Sequence, residues 1–177
     1  MTKITSPYEI DAWLGFDFPG RGDNYSTQKY HWYHFSGTDY NAANNKTAIY
    51  EIVGDNKNWS LSVDREKGNY DYLMFADLDY AHPEVQDDVK NWGTWIGKEV
   101  KIKGLRFDAV KHFSEDFLKE FVRHLDQTVG EGWFLVGEVG SHVILKASAC
   151  GYTMFHREEP SESITAYKFI VLERFYR

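Results

Sequence analysis

A single cysteine, Cys150, is all the thiol chemistry available to the 177-residue chain, and one thiol excludes an internal disulfide framework. No apolar run approaches the roughly 20 residues of a membrane-spanning helix, so no membrane partner is expected. The opening Met1-Thr2-Lys3-Ile4 lacks the features of a secretory signal, which makes a cytoplasmic location the expectation. Basic charge is in deficit: 20 Lys and Arg stand against 27 Asp and Glu, for a net charge of −7. Without a basic stripe, nucleic acid is not an expected partner. The densest basic cluster, Lys98, Lys101 and Lys103, reads as the solvated edge of a strand. Repeats and low-complexity tracts are lacking too.

Aromatic residues, by contrast, make up 17% of the chain. Flat apolar rings with polar edges suit sugar stacking, and Trp13, Trp32 and Tyr33 are candidates for it, although most such rings simply fill cores. Residues 6–80 are rich in Gly, Asn, Asp and aromatics, a composition of short strands and long turns. Gly15, Pro19, Gly20, Gly22 and Asp23 mark a loop. Between Pro83 and Gly97 a helix is expected, with Pro83 near its first position and Val85, Val89, Trp92 and Ile96 on one face. An apolar run from Ile164 to Leu172 reads as a strand without a clear partner.

The chemistry gathers further along. From Val100 to Val110 the side chains alternate with period two, putting Leu105, Phe107 and Ala109 on an apolar face. Gly104, Arg106 and Asp108 fall on the other face, where an Arg close to an Asp is expected to hold a carboxylate ionised. Ser114 is a helix N-cap, followed by Glu115 and Asp116 where the helix dipole favours acids. Phe117, Leu118, Phe121, Val122, Leu125 and Val129 form one apolar face, and Gly130 suits the residue after the helix. A second apolar run, Trp133 to Gly137, closes on Glu138, thirty residues after Asp108.

Strand, helix and strand in that span predict two parallel neighbours. Carboxylates ending adjacent parallel strands stand about 5–5.5 Å apart, the separation of a retaining glycosidase pair. The alternative is that Asp108 only neutralises Arg106 and Glu138 merely closes a strand.

Gly104, Arg106, Asp108, Lys111 and His112 match the pattern Gly-x-Arg-x-Asp-x-x-Lys-His at five positions in nine. This resembles the fourth-strand motif of the alpha-amylase family, glycoside hydrolase family 13. The likeness extends through Trp32-Tyr33-His34-Phe35, Gly68-Asn69-Tyr70-Asp71-Tyr72-Leu73-Met74 and Ala76-Asp77-Leu78-Asp79-Tyr80. It covers roughly residues 6 to 138 and is greatest towards liquefying bacterial and intracellular fungal enzymes.

The resemblance implies an α/β fold: part of a (β/α)8 TIM barrel, strands 4 and 5 with flanking helices, plus a β-rich inserted domain B. Residues 1–80 would be the inserted domain, 81–138 the central part of the barrel, and 139–177 a divergent tail. A standard barrel needs about 250 residues, so a fragment is expected. The family's strand-3 and strand-7 motifs, including a third catalytic Asp, have no counterpart. After Glu138 the family places aromatics, whereas this chain has Val139-Gly140, and residues 139–177 are expected to be intron read-through or a shifted frame.

By resemblance, Asp108 is the nucleophile and Glu138 the general acid and base, while Arg106 orients Asp108. Lys111 and His112 contact sugar on the leaving-group side. The substrate would be a starch-like glucan or maltooligosaccharide, cleaved at alpha-1,4 bonds. Asp71 and Asp77 would bind a structural Ca2+ with the backbone carbonyl of His112. Where related enzymes place further metal-binding aspartates stand Ser36, Ser60 and Ala81, so one incomplete site is expected. The acidic turn is not an EF-hand, because His82 occupies the position that needs Gly. The chain alone is expected to have little or no activity. The competing readings are a non-catalytic carbohydrate-binding or interaction remnant and a gene-model artefact.

Overall fold

A computed structural model describes residues 6–65, 68–102 and 104–138, together with the short segments 152–153, 169–171 and 173–174. The first sheet grows from a hairpin. Strand β1 (Phe35–Asn41) turns through residues 42–45 into antiparallel β2 (Lys46–Glu51), with Asn45 in the left-handed region at φ 55°. Strand β3 (Asp77–Leu78) pairs antiparallel on the other side of β1, Phe35 facing Leu78. Gly37 is required in β1 because the ring of Trp59 lies where a Cβ would project. Short strands and long turns are thus what residues 6–80 form, and the loop marked by Gly15 to Asp23 holds its turn at residues 19–23.

Helix α1 (Pro83–Trp95) starts with Pro83 in its first turn, where a missing N–H costs nothing. Its expected apolar face is only partly right. Val85 is fully buried and Val89 packs on the core, but Trp92 is exposed and Ile96 lies beyond the α-helix. The buried position next to Trp92 is Gly93, whose bare backbone lets the ring of Phe121 approach.

Residues Ile96–Val100 wind on as a π turn, and Lys101 at φ 58° breaks the run. The strand expected from Val100 to Val110 is therefore shorter at both ends: β4 is Gly104–Phe107. Its tail is cut by Ala109, which is left-handed at φ 46°, and Val110–His112 form a 3-10 turn. Val110, not Ala109, takes the buried place. Lys98 lies in the π turn rather than on a strand edge, and Lys103 is outside the described residues.

Helix α2 (Glu115–Thr128) forms as its sequence dictates. The Ser114 hydroxyl accepts from Phe117 N at 3.2 Å, and Glu115 and Asp116 occupy the first turn. Phe117, Leu118, Phe121, Val122 and Leu125 are all buried, with Val129 packed on the same core. Gly130, at φ 114°, sends its N–H back to Leu125 O at 3.3 Å.

Strand β5 (Phe134–Glu138) lies parallel to β4, in register from Gly104 opposite Phe134 to Phe107 opposite Gly137. Its other edge carries β7 (Phe169–Val171), antiparallel, with Glu138 opposite Phe169. The apolar run near Ile164–Leu172 thus has a partner after all. Strands β6 (Tyr152–Thr153) and β8 (Glu173–Arg174) pair with each other. The rest of the 139–177 tail, with Cys150 and the read-through expectation, lies outside the described residues.

Among the described residues the parallel strands number two, and no closed barrel is formed. Two hydrophobic clusters, one under α2 and one around Leu14, Tyr30, Phe35 and Val85, share Tyr80 and Val89.

Candidate active site

Parallel pairing is what brings the two catalytic candidates to one level. The last paired rung joins Phe107 and Gly137, and the next position on each chain is Asp108 and Glu138. Leu105 and Phe107 pack on the core side of β4, leaving Arg106 and Asp108 on the opposite, exposed side. There Arg106 Nη2 lies 3.2 Å from Asp108 Oδ1. The pairing is as expected, but the face is open: the two side chains are 46% and 75% exposed. Gly137 completes the arrangement, since a Cβ there would meet Val110 Cγ1 at 3.0 Å.

The turn after Asp108 sets Lys111 and His112. The Lys111 carbonyl accepts from Asp64 N at 3.4 Å, tying the turn to the preceding loop. His112 Nδ1 lies 3.0 Å from the Tyr70 carbonyl, so that nitrogen carries the proton and donates. Both side chains stand on the same turn as Asp108, at the C-terminal end of β4.

The calcium candidates Asp71 and Asp77 do come together, in a pair of hydrogen-bonded carboxyls. Burial first, and then the charge of Asp71, push Asp77 up to about 8. Burial also raises Asp71, opposed by the Ser60 N–H bound to its Oδ2 at 2.7 Å. Asp77 Oδ2 is buried with no hydrogen-bond partner. Two desolvated carboxyls, one with a bare oxygen, are a set of hard oxygen donors that suits a calcium-like cation. His112 adds no imidazole ligand, because its Nδ1 is engaged with Tyr70, and among the described residues no group of three or more His, Cys, Asp or Glu is disposed around a metal.

Ser36, Ser60 and Ala81, the positions expected to carry further acids, instead supply neutral donors. Ser36 is close enough to favour the charged form of Asp77, Ser60 N bonds Asp71 Oδ2 at 2.7 Å, and Ala81 N bonds Asp79 Oδ1 at 3.0 Å. Sequence reasoning missed Lys57. Its Nζ reaches Asp79 Oδ2 and the Tyr33 carbonyl, each at 2.5 Å. A lone Lys in an Asn- and Asp-rich loop carries no signal of that role. It also missed His34, fully buried, whose Nδ1 accepts from His31 N and whose Nε2 donates to Glu84 Oε2 at 2.9 Å. Of the stacking candidates, Trp13 is 77% exposed and lies 5.5 Å from the Tyr40 ring, while Trp32 and Tyr33 meet edge to face.

No family model matches the chain. It is, however, 47% identical over 135 residues to the alpha-amylase of Bacillus licheniformis, covering 76% of this chain and 26% of that protein. This chain belongs to the alpha-amylase family. It is also 44% identical over 139 residues to the glucan 1,4-alpha-maltohexaosidase of Bacillus sp. (strain 707), covering 77% of this chain and 26% of that protein. With the cytoplasmic alpha-amylase of Escherichia coli (strain K12) identity is 34% over 140 residues, 78% of this chain and 28% of that one. The chain thus spans about a quarter of the length of these family members. Family membership implies a TIM barrel with a domain B, of which the described residues form a small α/β part. No helix among them is long and apolar enough to cross a membrane.

Proposed function

We propose that this alpha-amylase family chain carries the central catalytic segment of a retaining glycosidase that cleaves alpha-1,4 bonds in starch-like glucans or maltooligosaccharides. The observation that carries this reading is the β4–β5 register, with Asp108 and Glu138 one step beyond the rung Phe107–Gly137. Neighbouring strands lie about 4.8 Å apart, which supports the close spacing of a nucleophile and an acid/base rather than the wider gap of an inverting pair.

Asp108 attacks the anomeric carbon while Glu138 protonates the leaving oxygen, giving a covalent glycosyl-enzyme. Glu138 then takes a proton from water, which releases the sugar with retained configuration. The Arg106 guanidinium, 3.2 Å from Asp108, favours the ionised nucleophile. Lys111 and His112, on the adjoining turn, hold the sugar on the leaving-group side. Asp71, Asp77 and the His112 carbonyl would hold a calcium ion, which would supply rigidity where the loop of Tyr70 meets the turn of His112. In this reading β4 and β5 are the fourth and fifth barrel strands, residues 1–80 the inserted domain and 139–177 a divergent tail. The protein works in the cytoplasm, as the Escherichia coli relative's name states for that enzyme.

A second reading is favoured by the exposure of Arg106 and Asp108: a non-catalytic glucan-binding remnant. Maltoheptaose hydrolysis and amylose affinity electrophoresis of the purified chain separate the two. The chain is expected to hydrolyse weakly at most, with all turnover lost in Asp108→Asn and Glu138→Gln. Turnover that survives both substitutions overturns the catalytic assignment. Glucan binding without turnover, unaffected by Glu138→Gln, establishes the second reading instead.

A further inference from the structure

The pattern Asn-x-Ser/Thr, with x other than proline, occurs at Asn24-Tyr25-Ser26, Asn45-Lys46-Thr47 and Asn58-Trp59-Ser60. It is the acceptor pattern for N-linked sugar: the asparagine amide takes the sugar, and the hydroxyl two residues on is held by the transferase. A folded chain offers such a pattern only where both groups are accessible and not already engaged. The three occurrences differ in that respect.

Asn24 is exposed, but its Nδ2 donates to Arg21 O at 3.1 Å. The Ser26 hydroxyl donates to Asp88 Oδ1 at 2.9 Å and accepts from Gln28 N at 3.1 Å. Asn58 is exposed too, yet the residue after it is locked. The Trp59 ring fills the place of a Gly37 Cβ and meets the Tyr72 ring edge to face at 5.7 Å. Ser60 follows with its N–H on Asp71 Oδ2 at 2.7 Å and its hydroxyl accepting from Ser62 N at 3.2 Å.

Asn45 has no such ties. It sits in the turn of the β1–β2 hairpin, left-handed at φ 55°, and residues 43–49 are all exposed. Its Oδ1 accepts from Tyr40 OH at 2.8 Å, which holds the amide by its oxygen and leaves Nδ2 for chemistry. Among the described residues, neither that nitrogen nor the Thr47 hydroxyl has a hydrogen-bond partner.

We propose that Asn45 is an acceptor site for N-linked glycosylation, with Thr47 as its recognition hydroxyl. The donor is a sugar activated at its anomeric carbon as a phosphate ester, carried on a nucleotide or on a lipid pyrophosphate. Nδ2 attacks that carbon, and the C–N bond forms as the C–O bond to phosphate breaks. The phosphate leaves with the electron pair, and the amide nitrogen passes one proton to a base of the transferase. The inference concerns sugar joined to this chain, not sugar cleaved by it, and involves no residue of the proposed active site.

The test incubates the purified full chain with a soluble N-glycosyltransferase and UDP-glucose in one arm. The other arm supplies an oligosaccharyltransferase and lipid-linked oligosaccharide. Intact mass and peptide mapping are expected to show one added sugar unit, at Asn45, and the arm that works identifies the donor. Asn45→Gln and Thr47→Ala are each expected to lose the addition, whereas Thr47→Ser keeps it. Should Asn45→Gln fail to fold, Thr47→Ala leaves the left-handed residue in place and decides alone. No addition in either arm, or equal addition to the parent and to Thr47→Ala, overturns the proposal. Sugar found chiefly at Asn24 or Asn58 overturns it as well.

Discussion

Arg106 and Asp108, two positions apart in sequence, hold guanidinium and carboxylate 3.2 Å apart on the solvated side of the β4–β5 sheet. Such an exposed pair contributes little to folding, because water screens it and two long side chains must be ordered. Arg106→Ala is therefore expected to change unfolding free energy by less than about 1 kcal/mol in urea titration. In the proposed chemistry the same substitution is expected to reduce whatever maltoheptaose turnover the chain has by at least about tenfold, through a less well oriented nucleophile. Unchanged turnover would remove Arg106 from the site.

Close packing of α1 on α2 runs through Gly93, where an added Cβ would sit 2.6 Å from Phe121 Cε2 and 2.7 Å from Cζ. The Phe121 ring is itself buried, so it has nowhere to retreat. Gly93→Val is expected to destabilise the chain by about 2–3 kcal/mol, read from denaturant midpoints. A neutral result would mean that the two helices separate easily.

The Asp71–Asp77 pair, the proposed calcium ligands, makes stability depend on pH. Asp77 titrates at its ordinary 3.8 when unfolded and at about 8 when buried beside Asp71. Between those values the folded chain keeps a proton that the unfolded chain has released. This contribution is complete below 3.8 and disappears as pH rises through 8, with a slope of at most about 1.4 kcal/mol per unit. In chelator, stability is expected to decline across that window. In the proposed reading calcium would compete with the proton on Asp77, and it is expected to raise the melting temperature most near pH 8. Asp77→Asn should abolish both the slope and the calcium response in differential scanning calorimetry.

His82 acts in the opposite sense. Burial, followed by His34 and Lys57, lowers its affinity for a proton, with Glu84 and Asp79 opposing, and its Nδ1 is buried with no hydrogen-bond partner. A histidine depressed in the folded state contributes stability above 6.5 that is lost as pH falls through its folded value. His82→Gln is expected to flatten the stability profile below pH 6.5, measured by urea midpoints across that range. An unaltered profile would assign the acid sensitivity to other groups.

Local patterns were the legible part of this fold. The 3.6-residue spacing from Phe117 to Leu125 reports a buried helix face directly, and Ser114 and Gly130 mark its ends by backbone chemistry that needs no distant partner. The length between Asp108 and Glu138 was enough to anticipate a parallel pair. Alternation could not reveal where β4 stops, because the left-handed conformation of Ala109 is imposed by what surrounds it and not by alanine. Trp92 has the right spacing for a buried face but is displaced outward, since the neighbouring glycine brings Phe121 in first. Lys57 and Asp79 are separated by 22 residues, and nothing local in either segment announces the other. The acids at 71 and 77 were legible as a pair that comes together, while the neutral groups at 36, 60 and 81 looked only like losses.

In the proposed reading of β4 and β5 as barrel strands, Phe169–Val171 runs against β5 along the edge where a ring of like-directed strands would continue. That edge has a single row of peptide donors and acceptors, and one neighbour at a time can use it. Growth of a barrel beyond Glu138 therefore requires this strand to vacate its seat first, so closure becomes a contest between two polarities of the same hydrogen-bonding rail.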